Sequence, residues 1–236
     1  MTTSSADLAL LRLMQLVSPS LPVGAFAYSQ GLEWAVEASW IGTAAQAENW
    51  LADQLQAAVA RTDLPLLLRM RAAAAAGDRT LLNSWIDLLI AARESAELRA
   101  EEAGRGRALA DLLAALGVIA ETSQLPAHDT ADWRRTLARS QLAGFAYAAA
   151  AWRIAPRDTA LGYAWCWVEN LVLAAVKLVP LGQTDGQRML ARLLGDIPAA
   201  VDTALELADD DIGASSPALA IASSGHETQY TRLFRS

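Results

Sequence analysis

The residues from Lys177 to Gln187, KLVPLGQTDGQ, gather an amine, two amides, a carboxyl group and a hydroxyl around two glycines. A glycine-rich loop of this kind raises the possibility of a phosphate cradle. Gly182 and Gly186 lack the P-loop spacing, however, no Lys-Ser/Thr follows them, and no strand-like run precedes them. Nucleotide binding by this loop is therefore excluded. Metal chemistry fares no better, because His128, Cys166 and His226 lie far apart with no paired ligand spacing. Ser29, in GAFAYSQG, lacks the glycine two residues earlier that a nucleophile elbow needs. Cys166, inside YAWCWVEN, reads as a buried structural thiol.

Lys177 carries a finer argument. Tyr163, Asn170 and Lys177 are spaced seven apart and share one helical face, a polar stripe along an apolar helix. Such a stripe pairs internally or faces another subunit, and Lys177 alone also suits a C-terminal cap before Pro180. Thr184 and Gln187 match a capping box for the next helix, which leaves Gln183 and Asp185 without a structural role. A different class of reading makes the chain an all-α small-molecule enzyme. Lys177 would then act beside Glu169 and Tyr163 as a desolvated base or Schiff-base amine.

The elements that must position these residues are helical. The chain has 236 residues, 53% of them hydrophobic, with Ala and Leu dominating over β-branched types. Apolar positions recur at helical spacing almost throughout, so the expected fold is all-α, a single-domain bundle of about ten helices over 1–208. Thr43 and Gln46 form a capping box, Asp63 and Pro65 restart the chain, and Gly77 closes an Ala-rich helix. Two long helices are expected near 131–154 and 159–179, and shorter ones at 185–194 and 197–208. ARESAELRAEEAGRG offers Arg93–Glu97 and Glu101–Arg105 pairs, which reads as a solvated face. Residues 209–236 look different. An acidic, small-residue spacer leads to HETQYTRLFRS, where Tyr230, Leu233 and Phe234 share a helical face flanked by Arg232 and Arg235. That pattern suits a docking segment that orders on a partner, or a tail packed on its own domain.

Composition excludes several partners. A net charge of -7 argues against nucleic acid. The apolar stretch 161–181 is interrupted by Glu169, Asn170 and Lys177, which favours a buried helix over a membrane span. One cysteine fits a reducing cytosol.

Three segments in order, LPVGAFAYSQGLE (21–33), VKLVPLGQTDGQ (176–187) and the end HETQYTRLFRS, resemble the UreF family of urease accessory proteins. The AELRAEE stretch and the length also fit, so the resemblance spans essentially the whole chain. It implies an all-α, cytoplasmic, non-enzymatic homodimer that joins UreD (also called UreH) and the GTPase UreG in maturing the urease apoprotein. No stably bound cofactor is implied: nickel would pass in transit, and GTP would be bound by the partner. On this resemblance Lys177, Gln183 and Asp185, with Asn170 and Tyr163, would serve a GTPase-facing or dimer surface. His226, Glu227, Tyr230, Arg232, Leu233 and Phe234 would face UreD. Phe26, Tyr28, Ser29, Glu33, Glu97 and Arg99 match family motifs without an assigned role. The chain departs from the pattern at Ser224 and Gly225, where a larger or basic pair is expected.

Overall fold

A computed structural model describes residues 5–121, 127–214 and 216–236, and the described residues form helices and turns with no strand. The helices are α1 (Ser5–Val17), α2 (Leu32–Glu37), α3 (Ala44–Gln54), α4 (Leu64–Ala75), α5 (Arg79–Ala92), α6 (Ala96–Ala115) and α7 (Val118–Glu121). They continue with α8 (Ala127–Leu137), α9 (Gln141–Ala151), α10 (Pro156–Leu178), α11 (Gln183–Leu193), α12 (Ile197–Glu206) and α13 (Pro217–His226). The expected all-α fold is what the chain adopts.

Two helices organise the body. α9 is buried along its first nine residues and packs on α4 and α6. α10 runs through the other half, touching α1, α3, α4, α11 and α12. By length and composition α10 is apolar enough to cross a membrane, but half of its apolar window is buried inside the fold, as for a core helix. Gly106 shows how tightly these layers close. A Cβ there would stand 2.7 Å from the Ser140 amide nitrogen, so only glycine lets α6 pass over the turn before α9.

Several local expectations hold and several fail for identifiable reasons. Thr43 caps α3 by accepting from the Gln46 N–H, while Gln46 reaches back to the Gly42 N–H. Gly77 leaves α4 with φ +70°. The chain does not restart at Asp63, however. Residues Leu55–Asp63 form a π-helix that runs on into α4, with the Leu64 N–H bonded to the Val59 carbonyl five residues back. Pro65 falls at the junction where the wide register tightens, so its missing N–H costs the helix little. The single helix expected over 131–154 is two, divided where the Ser140 hydroxyl accepts the Ala143 N–H as the N-cap of α9. Thr184 and Gln187 do not form a capping box: α11 begins after Gly182 with no side-chain cap. The segment QLPAHDT (124–130) reads as a break in sequence; 124–126 lie outside the described residues, whereas 127–130 already belong to α8.

The spacer and tail are also corrected. The second half of the small-residue spacer forms α13, which seats Leu219, Ala222 and Ser223 against α2 and α6. Small side chains here allow contact. Gly225 lies directly against the Trp34 indole, where any Cβ would overlap the ring, so the larger residue expected at 225 does not fit; the exposed Ser224 has no structural explanation. Ahead of α13, the Gly213 N–H bonds the Arg61 carbonyl, and the Ala214 N–H bonds the Thr62 hydroxyl. Helix ends at His226, so Tyr230, Leu233 and Phe234 share no helical face.

Candidate functional site: a tail clasped on the helical body

Glu33 stands on the short α2, positioned by a turn in which Gln30 and Gly31 both take left-handed φ (+51° and +78°). Its buried carboxylate receives the tail backbone directly. The Leu233 N–H donates to one oxygen at 2.6 Å, and the Phe234 N–H donates to the other at 2.8 Å. The ring of the fully buried His226 lies between Glu33 (Nε2, 3.1 Å) and Glu97 (Nδ1, 2.6 Å). Arg232 pairs with the other oxygen of Glu97 at 2.6 Å. Glu227 turns onto the start of α6 and accepts the Ala96 N–H at 2.7 Å, a favourable place for a carboxylate.

The end of the chain is equally well held. The Ser29 amide and hydroxyl both donate to the Ser236 carbonyl, at 2.7 and 2.6 Å, and the Arg235 N–H donates to the Ala27 carbonyl. Phe234 is buried, and the Lys177 ammonium lies 5.5 Å from its ring centroid. The three motif segments of the sequence therefore meet in one place. Tyr230 and Leu233 remain exposed on it, as does Phe26.

Beneath the clasp lies a buried polar layer that periodicity did not reveal. Gln30 links Glu101 to the Trp167 indole, and Glu101 also takes hydrogen bonds from Arg105 and the Ser236 hydroxyl. Arg93 bridges Asp63 and Glu102, and Glu102 accepts from the Ser140 hydroxyl and the Leu142 N–H. Arg93 thus does not pair with Glu97, and the face read as solvated holds buried Glu101 and Glu102. Only the Glu101–Arg105 pair forms as its spacing suggested. Burial pushes the Asp63 carboxyl up against the pull of Arg93. Burial also opposes ionisation of Glu102, yet Arg93 and the two hydrogen bonds hold it below its usual range. Asp63 and Glu102 in turn overcome the effect of burial on Arg93 and hold its guanidinium well above its ordinary value. The signal available in sequence was small: charged residues on α6 beside Gly104 and Gly106, positions that allow close packing.

The other proposed residues separate. Tyr163 is buried edge-on against Phe145, 5.4 Å between centroids, with its hydroxyl's pKa raised well above normal by burial. Asn170 is half-buried and donates to the Tyr28 carbonyl at 3.4 Å. Lys177, Gln183 and Asp185 are exposed where α10 hands over to α11. Asp185 pairs with Arg188 in the first turn of α11. The stripe therefore does not face one surface, because one end is core and the other is solvent. Arg99 donates to the Arg93 carbonyl. Fourteen residues of helix separate Tyr163 from Lys177, about 21 Å along the axis, so the lysine-enzyme site does not assemble. Burial raises the Cys166 thiol to about 12, the wrong direction for a nucleophile. Among the described residues no group of three or more His, Cys, Asp and Glu is arranged to hold a metal. His226 offers a different ring nitrogen to each carboxylate, so Glu33, Glu97 and His226 do not converge on one centre. The His128 side chain lies outside the described residues.

An all-helical body whose buried charges hold its own tail and helix ends, with an exposed polar corner beside them, has the character of an interaction module. Comparison with known proteins agrees. A family model described as UreF matches residues 41–194. The chain is 50% identical to urease accessory protein UreF of Alcanivorax borkumensis over 97% of its own length and 98% of the relative's. It is 50% identical to that of Pseudomonas putida, over 98% of this chain and all of the relative. Identity to the Escherichia coli O157:H7 protein is 44%, over 96% and 97% of the two chains. The chain belongs to the UreF family of urease accessory proteins.

Proposed function

We propose that this chain is a urease maturation factor: a non-enzymatic, cytoplasmic scaffold that bridges UreD and the GTPase UreG. In this role it regulates GTP hydrolysis by UreG and assists nickel insertion into the urease apoprotein, acting as a homodimer. Nickel is cargo in this reading, and GTP is held by the partner. The observation that carries the proposal is similarity over nearly the whole chain to proteins named as urease accessory proteins. Two exposed features supply the surfaces. Lys177, Gln183 and Asp185 form a polar corner suited to the GTPase, and Tyr230 and Leu233 offer apolar contacts to UreD beside the clasp.

The test is reconstitution. The chain is expected to co-purify with UreD and, with UreD present, to recruit UreG; failure to recruit the GTPase would sink the reading. Gln183→Ala is an exposed change expected to leave stability within about 0.5 kcal/mol, and Lys177→Ala, which also gives up the contact with the Phe234 ring, should cost no more than about 1 kcal/mol. Both should impair urease activation. Normal activation in both variants would remove the corner from the proposal.

A further inference from the structure

Lys177 is the only lysine in the chain; every other long cationic side chain is an arginine. An ammonium is a compact point charge on a flexible stem, whereas a guanidinium is a planar fork, and the two are not interchangeable. The arginines at and beneath the clasp use that fork on acceptors of their own chain: Arg93 on Asp63 and Glu102, Arg105 on Glu101, Arg232 on Glu97. Lys177 differs from them. It stands exposed in the last turn of α10, and among the described residues no carboxylate, hydroxyl or carbonyl pairs with its ammonium. The free carbonyls at the helix end favour a positive charge there without fixing its direction. Asp185, the acid of the same corner, is taken up by Arg188. The one described partner of the ammonium is the face of Phe234, with the ring centroid 5.5 Å away and within the range of a cation–π attraction.

The ring is fixed where the lysine is not. Phe234 is buried, its N–H is bonded to Glu33, and its two neighbours are bonded to Glu33 and to the Ala27 carbonyl. A four-carbon stem in solvent spreads its charge over many rotamers, and a fixed aromatic face biases that spread toward one place. We propose that Phe234 is a positioning residue for Lys177: the seated tail aims the sole ammonium of the chain for a carboxylate of the partner that docks at this corner. The pair joins the two surfaces assigned above. Tyr230 and Leu233 lie on the same short tail as Phe234, so a partner that grips the tail also steadies the cation offered at the corner. Identifying the partner at the corner as the GTPase rests on the function proposed above, whereas the pairing of Phe234 with Lys177 belongs to the isolated chain.

A single lysine makes the pair directly observable. Reductive methylation with isotope-labelled formaldehyde marks only Lys177 and the terminal amine, and it keeps the charge. The Lys177 methyl signal in NMR is expected to be displaced by the ring current of Phe234. It should return to the position of free dimethyl-lysine in Phe234→Leu and stay displaced in Phe234→Tyr. A wild-type signal at the free position, or one unmoved in Phe234→Leu, would overturn the proposal. Leucine keeps an apolar side chain in the seat, and an unchanged hydrogen-exchange rate of the Leu233 amide is expected to show the tail still in place. Recruitment of UreG, measured with UreD saturating, gives the second arm. Phe234→Leu should weaken it about threefold, the size of one exposed cation–π contact, and Phe234→Tyr should match the wild type. In a Lys177→Ala background Phe234→Leu should have no further effect. A full additional loss there would show Phe234 acting without Lys177 and would overturn the coupling. Normal recruitment by Lys177→Ala alone would instead remove the GTPase from the corner, and the methyl signal would still decide the pair.

Discussion

At the scale of single residues, the two carboxylates on Arg93 have opposite roles. Glu102 is held below its usual range, so its contribution to folding is present above about pH 4.5 and is lost as the pH falls through its depressed value. Asp63 is shifted up, so its charged form works against folding, and the stability it contributes is lost as the pH rises through its raised value. Glu102→Gln should therefore cost about 3 kcal/mol at neutral pH, and Asp63→Asn clearly less, because only the first removes a favoured buried charge. Urea midpoints for the two variants compare these directly. The same titration from neutral to acid pH should lose its main acid limb in Glu102→Gln. Cys166 gives a second residue-scale prediction. With its thiol pushed up to about 12, it should react with thiol reagents at least tenfold more slowly in the native protein at about pH 8 than in denaturant. Equal rates, followed by absorbance, would show an accessible thiolate.

At the scale of elements, close approach governs where helices cross. Gly106→Ala would push a methyl group into the backbone at Ser140, which caps α9 and also donates to Glu102. Backbone cannot shift as a side-chain end can, so a loss of about 2 kcal/mol is expected, read as a lowered melting temperature. A variant of unchanged stability would mean that the α6–α9 crossing is looser than its geometry. Element type and number were legible from Ala and Leu periodicity, as were the caps at Thr43 and Gly77. The division at Ser140 was not. Residues 138–143 read continuously as helix formers, and the break depends on Ser140 meeting Glu102 from another helix. Likewise the π-helix has no periodic signature of its own, since its wide turn is resolved only by what Thr62 and Asp63 contact inside the fold.

At the scale of the whole molecule, the tail is part of the body. Removing residues from His226 onward would take away the burial of Phe234 and leave the buried Glu33 without its donors. Most of the helical circular-dichroism signal should survive, because the removed segment is largely non-helical. Stability should drop by about 3 kcal/mol, combining loss of one aromatic side chain with an unpaired buried carboxylate. An unchanged denaturation midpoint would show that the tail adds nothing to the fold.

Sequence alone determined the helical class, the large core, the failure of nucleotide, metal and nucleophile motifs, and the family resemblance carried by three ordered segments. Those properties depend on composition, local spacing and residue order. Only the tertiary structure decided that the segments 21–33, 176–187 and 226–236 meet, and that His226, Arg232 and Glu227 bind the body of their own chain. It also drew Tyr163 into the core while leaving Lys177, fourteen residues along the same helix, in solvent. The physical reason is distance along the chain. Glu33 and Phe234 are separated by about two hundred residues, so no local pattern in either segment encodes the partner that satisfies it.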